Sequence, residues 1–317
     1  MRLGIFGRLD DPLSNHTDAR ARDRGHEVVR LPLSAMLDGT PAAFDGSEWL
    51  FAGNEVDVCD AFVLRQYPAA HALLAPSRAT HTAADWFRLG MQQQERSAFA
   101  QALLLDLEQR GKPMVNRLGA TQPYDHKPLQ LAVLRRLGAP LPRTLITNFP
   151  QAARLFAVEV GPCICKPLAG GAETRVVDDE LLARLDALRA APVIFQERID
   201  GPDVRVTVVG ERVVSSVAIE SSTLDYRSGA AYQSGGARYL PHALPAAVLE
   251  LCVRVAAALG QTLSGIDLKH AGGTQGLHGY VLLEANSAPV YLDIEHKTGA
   301  GITDAILQWL ERAVAQR

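Results

Sequence analysis

Cysteine is scarce: four residues in 317 are too few for a disulfide scaffold. Cys163 and Cys165, two apart in an apolar segment, share one side of a strand and read as buried thiols, since no second Cys/His pair stands at a zinc-like spacing. Hydrophobic runs such as Val281-Leu282-Leu283 fall far short of the roughly 20 residues a membrane helix needs. The N-terminus reaches Arg8 and Asp10 before any signal-like apolar stretch forms, so it reads as a first strand. An excess charge of one sign is missing too. With 32 basic against 35 acidic residues and a net charge of −3, no global field attracts nucleic acid or anionic membrane. No GxxxxGK[ST], GxGxxG or GxSxG occurs, which excludes a P-loop, weakens a dinucleotide site and removes a nucleophile elbow. His126, His270, His278 and His296 lack metal-like spacing and read as surface or packing residues. What remains is a cytoplasmic, multidomain protein with no nucleic-acid or membrane partner, for which a homo-oligomer stays open.

With 47% hydrophobic and 21% charged residues, the chain has the composition of folded domains and the length for two or three. Its first third alternates strand and helix signals: strands at 3–6, 27–31 and 61–64, a helix at 19–25, and a long helical stretch at 84–110 that Gly90 could divide in two. That alternation favours a parallel sheet with crossovers. A new unit begins near Asn116. Pro128 opens a helix that Gly138 and Pro140 end. Strands near Thr144 and at 163–167 follow, with a helix at 150–158 between them, then a helix at 179–189 and a strand at 193–198. Gly210-Glu211 between strands 203–209 and 212–219 predicts a tight hairpin with glycine first. Residues 221–239 read as a polar, ligand-covering loop. A helix at 244–259, strands at 263–270 and 280–285 and a final helix at 302–315 complete the chain.

Three groups of residues could carry chemistry. Glu284 and Asn286, two apart, share one face of a strand, and Asp267 sits on its expected neighbour. Two carboxylates and an amide oxygen suit Mg²⁺, with polar residues near turns as the plainer alternative. Lys166 closes the strand Cys163-Ile164-Cys165 just before Gly170-Gly171, and Lys127 stands at a helix N-terminus. Both could hold phosphate, or simply face solvent. Glu197 and Asp203 could take ribose hydroxyls and Arg205 a phosphate, although Asp203, Arg205 and Thr207 on one face would also suit a salt-bridge ladder. Arg227, in a polar loop, is either a solvated side chain or a cation that closes over an anion.

Taken in order, these segments resemble the ATP-grasp superfamily, and within it the RimK-like carboxylate–amine ligases. The likeness rests on Lys127 with Pro142-x-Thr144, Cys165-Lys166-Pro167, Gln196-Glu197-Arg198-Ile199, and Asp203-Val204-Arg205. It continues through Asp225-Tyr226-Arg227-Ser228 with Gly235-Gly236, Gly265-Ile266-Asp267-Leu268, Glu284-Ala285-Asn286-Ser287, and Ile294-Glu295-His296-Lys297-Thr298-Gly299. It is close over 116–312 and loose before. The resemblance implies an α/β ATP-grasp fold: a Rossmann-like domain (1–115), a central subdomain (116–197) and a C-terminal subdomain (198–317), the last two clamping ATP. It implies that Lys127 and Lys166 bind ATP phosphates, Glu197, Arg198 and Ile199 hold adenine, and Asp203 holds ribose. Asp267, Glu284 and Asn286 would bind Mg²⁺, with Mn²⁺ as the alternative ion, and Arg205 and Arg227 would be catalytic. The implied reaction joins a small-molecule or peptide carboxylate to an amine through an acyl phosphate, releasing ADP. A small-molecule kinase on the same fold and a non-catalytic nucleotide-binding regulator are the rival expectations. The stretch between Ser228 and Gly235 departs from RimK, so the resemblance does not carry over the identity of amine or acceptor. The segment Trp86 to Arg96 has no counterpart there, and reads as an amphipathic helix or as part of a substrate pocket.

Overall fold

The computed structural model describes residues 1–65, 82–121, 126–168, 174–220, 236–273 and 276–317. The glycine loop at 170–171 and Arg227 lie outside them. The chain divides into two units, Met1–Gly119 with Thr303–Arg317, and Ala120–Ile302.

In the first unit, β1 (Arg2–Phe6), β2 (Glu27–Arg30), β6 (Ala61–Leu64) and β7 (Met114–Val115) form a parallel sheet in the order β2-β1-β6-β7. Helix α1 (Pro12–Asp23) starts well before the expected Ala19, because Asp11 caps it by accepting from Ser14 N at 3.0 Å and Pro12 follows at the first turn. Helix α2 (Ala83–Gln109) is unbroken through Gly90 and opens with a reciprocal capping box between Thr82 and Asp85. Its Leu103, Leu104 and Leu107 are fully buried with Phe6, Phe51 and Phe62. The same core pushes the Cys59 thiol up to about 11, consistent with an inert buried group. A small antiparallel sheet, β3 (Ala42–Phe44), β4 (Trp49–Phe51) and β5 (Asn54–Glu55), was not expected from the sequence, since strands of two or three residues show no periodicity. The C-terminal helix Ile302–Ala315 presents Asp304 to Arg20 (2.7 Å) and Glu311 to Arg24 (2.7 Å) and His26 (2.7 Å).

The second unit holds two antiparallel sheets. The smaller, in the order β10-β9-β11-β8, comprises β8 (Thr144–Thr147), β9 (Cys163–Lys166), β10 (Arg175–Val176) and β11 (Val193–Glu197). Its core joins Phe195 and Leu145 to Ala153 of a helix at Pro150–Val160 and to Leu185 and Leu188. The larger, in the order β14-β13-β12-β15-β16, comprises β12 (Asp203–Val209), β13 (Arg212–Glu220), β14 (Arg238–Pro241), β15 (Leu263–His270) and β16 (Tyr280–Asn286). The β12–β13 hairpin turns at Gly210 with φ +60°, the conformation a glycine-first turn requires, and a bulge separates Thr207 from Val208. The stretch read as loop up to 239 ends instead in β14, whose Tyr239 and Leu240 pair with Ile219 and Ala218. One face of this sheet carries Val204, Val206, Val208, Ile266, Leu268 and Ala285, packed with Val248, Cys252 and Val255 of helix Ala246–Ala258. Behind it His242 Nε2 lies 2.7 Å from Tyr280 Oη and His270 stacks on the Tyr280 ring at 4.4 Å, so these histidines are packing residues. Burial beside His270 holds His242 below its usual pKa.

The Glu311 carboxyl is held below its usual pKa by hydrogen bonding to Arg24, and then by His26. Its contribution is therefore present above its unfolded value of 4.5 and lost as pH falls through the lower folded value. Glu311→Gln should cost about 0.5–1 kcal/mol at neutral pH in urea unfolding, discounted for partial exposure, and the difference from wild type should vanish as the medium becomes strongly acidic.

Candidate functional site

Alternation fixes what the other face of the large sheet carries. Val204, Val206 and Val208 point to the core, so Asp203, Arg205 and Thr207 point away from it. The register sets Asp203 opposite Lys269, Arg205 opposite Asp267, and Thr207 opposite Gly265. On the far side of β15, Asp267 faces Glu284 and Gly265 faces Asn286. Three rungs result, joining residues up to 79 positions apart in the chain.

The central rung is a fork. Arg205 Nε donates to Asp267 Oδ1 at 2.6 Å and Nη2 to Oδ2 at 3.1 Å, with Arg205 only 4% exposed. A charge that deep requires its partner, because removing either side strands the other in a poorly solvated place. Gly265 leaves room for it: a Cβ there would stand 2.5 Å from Pro289 Cβ and 3.0 Å from Arg205 Nη1. Glu284 accepts from Lys127 Nζ at 2.7 Å. Asn286 Nδ2 donates to Asp267 Oδ2 at 3.0 Å and to Gly265 O at 3.3 Å, whereas its Oδ1 is buried with no hydrogen-bond partner among the described residues. A buried amide oxygen without a donor, beside two carboxylates, is a donor set that fits a hard divalent cation. Among the described residues no three His, Cys, Asp or Glu side chains gather as a metal cluster; here the third oxygen is an amide.

The structure thus brings Lys127, Arg205, Asp267, Glu284 and Asn286 into one bonded group, with Asp203 and Lys269 on the adjoining rung at 3.0 Å. The expected salt-bridge ladder exists across strands rather than along β12. Of the other predicted residues, Lys166 and Glu197 lie on the smaller sheet, and Arg198 and Ile199 follow it. Lys166 ends β9 opposite Ile194. Glu197 ends β11, where its N–H donates to Arg143 O at 2.8 Å and its Oε2 accepts from Arg143 N at 3.1 Å. Arg198 N donates to Pro162 O at 3.0 Å, Arg198 Nε donates to Asp200 at 2.9 Å, and Ile199 is buried.

Sequence reasoning missed Gln130. From helix α3 (Lys127–Arg136) its Nε2 donates to Ala285 O at 2.8 Å and its Oε1 accepts from Ala285 N at 3.0 Å. The amide thereby caps the open edge of β16, and fixes the turn that carries Lys127 beside Glu284. Its signal was its position one turn after Lys127, on the face of the helix that also buries Leu134.

An α/β fold with an acid–amide face on its larger sheet is the class this geometry defines. The chain belongs to the RimK-like ATP-grasp domain family, whose domain matches residues 124–310. It has the ATP-grasp fold and is an ATP-dependent carboxylate–amine ligase. Over 98% of both chains it is similar to the ATP-grasp ligase PsnB solved with minimal precursor, with 31% identity and a TM-score of 0.82. The PsnB complex with minimal precursor, Mg and ADP gives 30% identity and the same TM-score, covering 98% of this chain and 97% of that one. A probable alpha-L-glutamate ligase of Enterobacter sp. (strain 638) is 27% identical over 307 residues, spanning 92% of this chain and 89% of that protein. No helix of the described residues is long and apolar enough to cross a membrane.

Replacing Gln130 by Leu removes both bonds to Ala285 and leaves a buried N–H and C=O unmet. Urea unfolding should show a loss of about 2–4 kcal/mol; an unchanged midpoint would mean that the β16 edge does not need the amide.

Proposed function

We propose that the subdomains 116–197 and 198–317 bind Mg-ATP, and that the protein activates a carboxylate of a peptide substrate and joins it to an amine. The observation that carries the site is the buried, undonated Oδ1 of Asn286 between the carboxylates of Asp267 and Glu284. These three residues hold Mg²⁺, or Mn²⁺ in its place, and the ion would neutralise charge on the ATP phosphates. Lys127 and Lys166 bind phosphate oxygens. Backbone groups at Glu197, Arg198 and Ile199 hold adenine, and Asp203 takes the ribose hydroxyls. Residues 1–115 form the Rossmann-like domain that completes the enzyme. Four free cysteines suit a reducing cytoplasm. A peptide substrate is supported by the full-length likeness to PsnB complexed with its precursor.

The chemistry asks for positioning and charge neutralisation, not for a covalent nucleophile. A substrate carboxylate oxygen takes the γ-phosphoryl group, breaking the bond to ADP and forming an acyl phosphate. The amine nitrogen then attacks the acyl carbon, loses a proton, and expels phosphate to leave an amide. Arg205, oriented by its fork on Asp267, and Arg227 stabilise the negative charge that develops on the phosphoryl and tetrahedral oxygens. Lys127 already neutralises Glu284 and stays at hand for phosphate.

Two measurements test the reading. Incubation with Mg-ATP, candidate peptides and hydroxylamine should release ADP and give a hydroxamate whose mass identifies the carboxylate. A phosphorylated product without hydroxamate would replace ligation by a kinase reaction. Glu284→Gln should lower ADP release at least about a hundredfold while the far-UV circular dichroism stays unchanged, and full activity of that variant at millimolar Mg²⁺ would remove Glu284 from the metal site.

A further inference from the structure

Lys269 occupies one of the three rungs, beside Asp203. We propose that Lys269 is a positioning residue for the nucleotide sugar: its ammonium holds the Asp203 carboxylate in the orientation that accepts ribose hydroxyls. The proposal rests on the reading of Asp203 as the ribose residue.

The geometry is specific. Lys269 stands directly opposite Asp203 in the β12–β15 register, its Nζ 3.0 Å from Asp203 Oδ2, and the two side chains are only 17% and 19% exposed. The same Nζ donates to Gly201 O at 3.1 Å. One ammonium thus ties the acid to the turn 199–202, which leads from the adenine-side strand end at Glu197 to Asp203. That turn is held against β15 from both directions. His270 N donates to Pro202 O at 3.0 Å, and Gly201 sits at φ +128°, where a Cβ would meet His270 O at 2.2 Å.

Charge and valence point the same way. A lysine ammonium has three donors, of which two are used here. A carboxylate offers about four lone-pair sites, and holding Oδ2 on Lys269 fixes the plane in which the group presents them. Across the polar face Asp203, Asp267 and Glu284 are matched by Lys269, Arg205 and Lys127. Without Lys269, the half-buried Asp203 carboxylate would lose this ion pair and the orientation it sets, and would shift out of register with the sugar. Lysine here acts as a point charge with a fixed reach, and arginine can supply the same charge through a fork.

The test needs no knowledge of the acceptor. Isothermal titration of the full chain with Mg-ADP, Mg-2′-deoxy-ADP and Mg-3′-deoxy-ADP should give wild-type preferences for the ribonucleotide of about tenfold or more, as expected for hydrogen bonds to a charged acceptor. Lys269→Met should reduce those preferences to about twofold or less, and Lys269→Arg should restore them. Asp203→Asn should lose them as Lys269→Met does. Retention of the full preference in Lys269→Met, even with weaker binding of all three nucleotides, would overturn the positioning role, because a purely structural lysine would not distinguish the sugars. Failure of Lys269→Arg to restore the preference would also count against it. If Asp203→Asn keeps the preference, the ribose assignment itself falls, and with it the basis for Lys269.

Discussion

The fork between Arg205 and Asp267 is the constraint on which the polar face depends. Its two charges are nearly buried, and each is tolerable only because the other is present. Replacing the pair by apolar residues of like size would not obviously weaken the fold, so stability alone does not explain it. What the fork does is hold Asp267 in one rotamer, close enough to Asn286 that the amide nitrogen is taken up and the amide oxygen is left over. The unmet oxygen, and hence the fit to a divalent cation, follows from the ion pair.

The same sheet is a wall on its other side. Valines at 204, 206 and 208 alternate with Asp203, Arg205 and Thr207 along β12, so the stiffness of the core against helix Ala246–Ala258 is transmitted to those polar side chains with no intervening loop. Gln130 extends this rigidity sideways. By capping β16 it makes the edge strand and helix α3 one piece, which keeps Lys127 beside Glu284. Lys127, Arg205 and Lys269 thus each neutralise an acid that would otherwise repel both its neighbours and an incoming polyphosphate.

Much of this was legible in the chain. Period-two alternation at 203–209 and 263–270 shows which residues share a face, and the pairing of Glu284 with Asn286 follows from their spacing. Which residue lies opposite which does not, because register across 62 positions is set by the whole sheet; Arg205 and Asp267 could be singled out separately but not joined. Lys269 at a strand end and Gln130 in a helix look like ordinary solvated residues until the strand beside each is placed. The strand β14 was hidden in a polar stretch for the same reason, since an edge strand of four residues needs no strong apolar pattern. The start of α1 was readable, in hindsight of Asp11 and Pro12, from capping chemistry rather than from apolar spacing. The packing of the C-terminal helix with the N-terminal unit was not, because its partners are charges on α1 more than 280 positions away.

The central claim is that Asn286 and its two acidic neighbours hold the cation that accompanies the nucleotide. A crystal structure of the full chain with Mn²⁺ and ADP, read by the anomalous signal of the metal, tests it directly. The account predicts an anomalous peak bonded to Asn286 Oδ1 and to at least one oxygen each of Asp267 and Glu284, with Arg205 still forked on Asp267. A bound ADP whose metal lies elsewhere, with Asn286 Oδ1 still without a partner, would contradict it.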